Sequence, residues 1–202
     1  MSSNVSGLKM KLAVIISYVS LFVWIFPIFR QYRSNLFYFF LFLGISDPLS
    51  VFAVKVLSIK TEWPSVLIAP ILFYAINIDR TKPFKISKLE IFVFVLTYFL
   101  IFFVDNFNFI LLIIHTLITI RAIYIIITDL HYRQKINIVR LVLAFYMITS
   151  VASLLIYLNG DYHAFLLFFT NLAFQLLLAI FFSIFSENNP KMNYKVLQTA
   201  EK

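Results

Sequence analysis

Asp47, His115 and Arg121 stand deep inside long apolar runs of the chain, where an ionised side chain has little water to hold it. At the centre of a membrane helix such a charge costs about 3 kcal/mol on insertion scales, so it must pair, neutralise or face a polar cavity. Asp47 belongs to the stretch GISDPLSVFAVKV, Gly44 to Val56. Pro48 frees a backbone carbonyl in the preceding turn and permits a bend, and Gly44 allows a close helix approach, so the acid is expected beside a break. Two readings of Asp47 stand side by side: an ion pair with Arg121 from another helix, or a protonated carboxyl hydrogen-bonded locally, for example near Ser50. Lys55, about two turns further along, has a stem long enough to carry its ammonium to the outer interface. His115 has Thr119 one turn away on the same face, an arrangement that serves proton chemistry or merely packs.

Uncharged polar residues form a second set of candidates. Tyr146, Thr149, Ser150, Ser153 and Tyr157 recur at helical spacing along one stripe, and Asn171 is followed by Gln175 four residues later. Shorter stripes are Ser17, Ser20 and Trp24, and then Pro70, Tyr74 and Asn77. In lipid the amphipathic rule inverts, and such faces turn toward the bundle interior. There they line a ligand cavity or a transport path, or they serve as hydrogen-bonding glue between helices.

Recognisable catalytic constellations are missing from the sequence. His115, His131 and His163 lie far apart with no HExxH spacing, and Asp47 is the only acid placed deep in an apolar run, so a zinc protease and a paired-carboxylate enzyme both lack their parts. There is no GxSxG, and Gly7, Gly44 and Gly160 are the only glycines, too few for a phosphate-cradling loop. The chain has no cysteine. No catalytic residue, no metal site and no cofactor are expected.

The elements that position these residues follow from composition. Hydrophobic residues make up 62% of the chain and charged residues only 13%, and the mean hydropathy is +0.93. A soluble domain of 202 residues cannot hide that much apolar side chain, so the surrounding solvent is lipid. Seven apolar segments, at about 12–29, 36–59, 63–78, 90–104, 108–128, 137–158 and 163–185, are separated by short polar connections. Lipid leaves backbone groups no partner but their own segment, and the alternation of an outer-membrane barrel is absent, so the expected fold is all-α, a polytopic transmembrane helix bundle in one domain. A six-span reading also fits, because the third and fourth segments are short and Pro64 and Pro70 interrupt the third. Residues 186–202 read as a short polar cytoplasmic tail.

Charge placement tests the count. Arg30 and Arg33, then Arg80, Lys82, Lys85 and Lys88, then Arg133, Lys135 and Arg140, and finally Lys191, Lys195 and Lys202 follow the odd-numbered segments. The other connections carry Lys60 with Glu62, Asp105 and Asp161. By the positive-inside rule this alternation places the N-terminus outside and the C-terminus inside, although Lys9 and Lys11 argue the other way. The net charge of +8 and pI near 9.7 are spread over loop ends, which fits anionic lipid at the cytoplasmic face and excludes nucleic acid as a partner. Arg80, Lys82, Lys85 and Lys88, in RTKPFKISK, are the lipid-headgroup candidates. The first apolar run is too long for a signal-peptide core and lacks a small-residue cleavage pattern, so it is expected to be a retained helix.

Two seven-span families share the inferred orientation without sharing motifs. A retinal-binding rhodopsin needs a lysine in its last helix, and HAFLLFFTNLAFQLLLAIFF has none. Sugar transporters built from two three-helix repeats carry prolines at matched positions, whereas here Pro27 and Pro48 have no counterparts in the fifth and sixth segments. The resulting expectation is a non-enzymatic membrane sensor or accessory subunit acting through a membrane or cytoplasmic protein partner. A small solute transporter with a polar path and a lipid-modifying enzyme are the alternatives. Abundant Phe, Ile, Asn and Lys suggest an AT-rich bacterial genome and hence the cytoplasmic (inner) membrane.

Overall fold

The structure is a computed structural model that describes residues 15–16, 18–60, 62–78, 85–159 and 164–196, with side chains left out over 164–169. Among the described residues, seven α-helices fall on the seven apolar segments. They are α1 (Tyr18–Arg30), α2 (Phe37–Leu57), α3 (Glu62–Ala75), α4 (Lys88–Phe103), α5 (Phe107–Arg133), α6 (Ile138–Asn159) and α7 (Ala164–Ile184). Three of these, α2, α5 and α6, are long and apolar enough to cross a membrane.

Local chemistry sets the breaks. In α1 the helix is interrupted at Trp24 and Ile25, just ahead of Pro27, which opens its second half as proline does at a helix start. Ser87 and Glu90 form a reciprocal capping box that starts α4, and the Asn106 side chain accepts the Asn108 N–H at the start of α5. Ser58 and Gln134 end α2 and α5 in the left-handed region, at φ of 55° and 48°. Pro48 and Pro70 lie inside α2 and α3 without ending them.

Helix α1 packs on α2 and α7, α2 on α3, α3 on α5, α5 on α6 and α6 on α7, so six helices close a ring. Helix α4 lies against α3 and α5 and buries only Glu90, Val93 and Thr97. Aromatic contacts lock the first helices to the last: Trp24 stands 5.1 Å from Tyr146 and 6.4 Å from Phe182, and Phe40 stands 4.8 Å from Phe182. Gly44 is the close-approach point of α1 and α2, since a Cβ there would lie 2.8 Å from the Trp24 carbonyl oxygen and 2.9 Å from Ile28 Cδ1. Large apolar side chains such as Phe22, Phe29, Tyr98, Phe102 and Phe103 stand exposed on the outside. That exterior suits hydrocarbon as its solvent.

The fold is all-α, with one short non-helical pairing among the described residues. Lys135–Asn137 (β1) pairs antiparallel with Asn193–Lys195 (β2), with Ile136 opposite Tyr194. A 3-10 turn, Pro190–Met192, leads into β2, and the Val196 N–H donates to the Gln134 carbonyl. The segment after Phe185, which reads as a plain polar tail, is therefore folded against the bundle as far as Val196. Its partners are mainly backbone amides and charged side chains, with Met192 packed against the apolar core.

Candidate functional site

Two cavities lie at opposite ends of the ring, the larger mostly apolar with a few polar groups and the smaller mostly polar. The larger, of about 610 Å³, opens between α5, α6 and α7 near the end of α6 and the start of α7. Asn108, Thr149, Ser153, Tyr157, Thr170, Asn171 and Gln175 supply its polar groups, and Leu154, Ile156 and Phe174 its apolar wall. Four sequence candidates, Ser153, Tyr157, Asn171 and Gln175, thus converge on one space. The 3.6-residue repeat of α6 puts Thr149, Ser153 and Tyr157 on the face that meets α7, where Asn171 and Gln175 are one turn apart. Ser153 donates its hydroxyl to the Thr149 carbonyl at 2.8 Å, so its oxygen reaches the cavity as an acceptor.

Tyr146 and Ser150 belong to the core instead. Both are buried, Tyr146 against Trp24, and the Ser150 hydroxyl donates to the Tyr146 carbonyl at 3.0 Å. On α5 the Thr119 hydroxyl donates to the His115 carbonyl at 2.8 Å and not to the ring, and the buried His115 Nδ1 has no hydrogen-bond partner among the described residues.

The smaller cavity, of about 190 Å³, lies at the arginine-rich end between the start of α2, the ends of α3 and α5, and the start of α6. Arg121, Ile125, Asp129 and Arg133 face it from α5 at four-residue spacing, together with Asn35, Asn77 and Arg140. Arg121 donates its Nε–H to the Asn77 side-chain oxygen and sits 5.2 Å from the Tyr124 ring centroid. The expected Asp47–Arg121 ion pair is not formed. In the ring, α3 stands between α2 and α5, and Asn77, two residues past the end of α3, holds Arg121. Asp47 lies exposed on α2, with the Ser46 hydroxyl 3.5 Å from its carboxylate, and Ser50 donates to the Ser46 carbonyl rather than to the acid. Lys55 is also exposed and donates to the Tyr18 hydroxyl at 3.2 Å, over whose ring it lies.

Beside this cavity a buried ionic network ties the folded C-terminal segment to the helices. Arg140 donates through Nε and Nη2 to Glu187 Oε1, each at 2.6 Å, and through Nη1 to Asp129 at 2.6 Å, which Arg133 approaches at 3.3 Å. Glu187 Oε2 also accepts the Asn35 and Leu36 backbone N–H groups at the entry to α2. Gln31 donates to the Phe182 and Phe185 carbonyls at the end of α7, and its own oxygen accepts the Glu187 N–H. Asn137 caps α6 by accepting the Arg140 N–H and donates to the Glu187 carbonyl. Sequence reasoning missed Gln31, Glu187, Asp129 and Arg140 as site residues. The one legible signal was Arg140 standing three residues inside α6, where a topology-setting charge has no need to be.

Of the lipid-headgroup candidates, Lys85 and Lys88 are exposed, and Arg80 and Lys82 lie outside the described residues. So do Ser17, residues 160–163 and residues 197–202. No group of His, Cys, Asp and Glu able to hold a metal occurs among the described residues. Comparison with protein-family models, with curated proteins and with solved structures gives no match.

Proposed function

We propose that the chain is an integral membrane protein whose seven helices all cross the bilayer, N-terminus outside and C-terminus inside, and that it is a non-enzymatic sensor or accessory subunit. Its ligand is a small amphiphile held in the α5–α6–α7 cavity, and its signal leaves through a partner protein at the arginine-rich end. The coincidence of seven helices with seven apolar segments supports the span count. The gathering of Arg30, Arg133, Arg140 and Lys195 at one end supports the orientation. The composition supports a bacterial cytoplasmic membrane.

The observation that carries the reading is the larger cavity. Its volume of about 610 Å³ suits a small organic ligand, and its wall combines apolar surface with a few convergent amide and hydroxyl groups. Binding is favoured over transport because packed side chains stand between the two cavities: Ile110, Ile114 and Ile118 along α5, and Tyr146 and Met147 along α6 are all buried. A path would have to part these layers, and α5 and α6 contain no Gly or Pro at which to do so.

The test is purification in mild detergent followed by mass spectrometry of associated proteins and bound small molecules. A stable protein partner and a bound amphiphile, the latter lost about tenfold in Asn171→Leu/Gln175→Leu, are the expected results. Solute uptake into liposomes that depends on the protein would overturn the reading in favour of transport.

A further inference from the structure

Three guanidinium groups face the smaller cavity, and among the described residues two carboxylates serve them. Arg140 is held by both Asp129 and Glu187, and Arg133 shares Asp129. Arg121 is left over: its Nε–H goes to the neutral Asn77 amide and its face to Tyr124, and its Nη groups have no hydrogen-bond partner among the described residues. An arginine cannot shed its proton to escape this imbalance. Its unused donors point to an acceptor that carries negative charge.

We propose that the cavity is a binding site for a phosphate group, with Arg121 as its floor and Arg133 at its mouth. At about 190 Å³ it is too small for a whole organic cofactor and large enough for a tetrahedral oxyanion with a water or two. The row Arg121, Ile125, Asp129 and Arg133 runs three turns along one face of α5, so the cavity is a cleft leading inward from the arginine-rich end. With 27 residues α5 is about 40 Å long, against roughly 30 Å of hydrocarbon. Counted from Phe107, Arg121 lies about 21 Å along it, where an extended guanidinium reaches toward the headgroup layer. Asp129 moderates the positive charge at the mouth, so an entering anion is drawn on to Arg121 below it, which no carboxylate among the described residues pairs. A lipid headgroup phosphate and a free phosphate share the required chemistry. The site is separate from the α5–α6–α7 cavity, so either can fail without the other.

The experiment is thermal unfolding of the full-length protein in phosphatidylcholine nanodiscs, titrated with inorganic phosphate, and in nanodiscs of phosphatidylcholine with phosphatidate. The expected result is a rise in midpoint of about 3 °C that Arg121→Gln abolishes and Lys60→Gln, at an exposed position between α2 and α3, leaves intact. Protection by inorganic phosphate assigns the free anion, and protection by phosphatidate alone assigns the lipid headgroup. Arg133→Gln tests the site without touching the floor, since that side chain is 71% exposed and its removal spares the fold. It should raise the half-protecting phosphate or phosphatidate level at least about fivefold. Protection by neither probe, equal protection by chloride at matched ionic strength, or undiminished protection of the Arg121→Gln protein overturns the proposal.

Discussion

Replacing Glu187 by glutamine should unfasten the C-terminal segment from the bundle. Its side chain is 5% exposed, and its two oxygens accept four hydrogen bonds: Asn35 N–H at 3.0 Å, Leu36 N–H at 3.3 Å, and two from Arg140 at 2.6 Å. Glutamine has the same shape but presents an NH₂ where an acceptor stood, so either the two backbone amides or the guanidinium then faces a donor. Removing one partner of a buried ion pair costs about 3–5 kcal/mol. Arg140 keeps Asp129 at 2.6 Å and is 18% exposed, which holds the cost near the lower bound, roughly 3 kcal/mol. For a chain of this length that corresponds to a midpoint about 9 °C lower. Tryptophan fluorescence of the detergent-solubilised protein reads it directly, because Trp24 is packed between Tyr146 and Phe182. Proteolysis should cut between Ser186 and Val196 in Glu187→Gln well before the helices. Combined with Arg140→Gln, the two changes should be less than additive by at least about 1.5 kcal/mol. A midpoint within about 2 °C of wild type, or full additivity, would refute the idea that the network fastens this segment.

The other expectations concern single positions. Gly44→Ala places a methyl 2.8 Å from the Trp24 carbonyl oxygen, which is backbone and cannot turn aside, so thermal unfolding should show a loss of about 1–3 kcal/mol; a neutral result would mean that α1 and α2 slide freely. Asp47→Asn and Arg121→Gln should be additive within about 0.5 kcal/mol in a double-mutant cycle of unfolding midpoints, because Asn77 and not Asp47 holds Arg121; larger coupling would restore the ion pair. His115→Leu removes a buried nitrogen that has no partner, so it should leave stability unchanged or raise it by up to about 1 kcal/mol; a loss above about 2 kcal/mol in the same assay would show that His115 is held by a group bound there.

The parts of this architecture that sequence discloses are those decided by a local period. Thr149, Ser153 and Tyr157 share a face because of helix geometry alone, and a helix meeting that face with Asn171 and Gln175 adds its amides to the same cavity. Gly44 was legible for a similar reason: in an apolar run rich in phenylalanine, a residue without a side chain is useful chiefly where another backbone comes close. Asp47 misled because an acid beside a proline reads as buried whichever way the helix is turned. Hydropathy records depth along a helix and says nothing of which neighbours reach a side chain, and Asp47 is exposed with only the Ser46 hydroxyl near its carboxylate among the described residues. The Glu187 network was illegible for a different reason. SENNPKMNYK has the composition of solvated chain, and nothing local distinguishes an acid that meets water from one that meets Arg140 and two amides at the entry to α2. The useful signal was the reciprocal one. An arginine three residues inside an apolar helix, at 18% exposure, requires a counter-charge, and α5 can supply only half of it through Asp129, which Arg133 also claims. Counting guanidinium groups against carboxylates at one end of a bundle therefore predicts that a polar segment elsewhere must fold back to complete the balance. The same count, carried one residue deeper to Arg121, is what leaves a charge for an anion to answer.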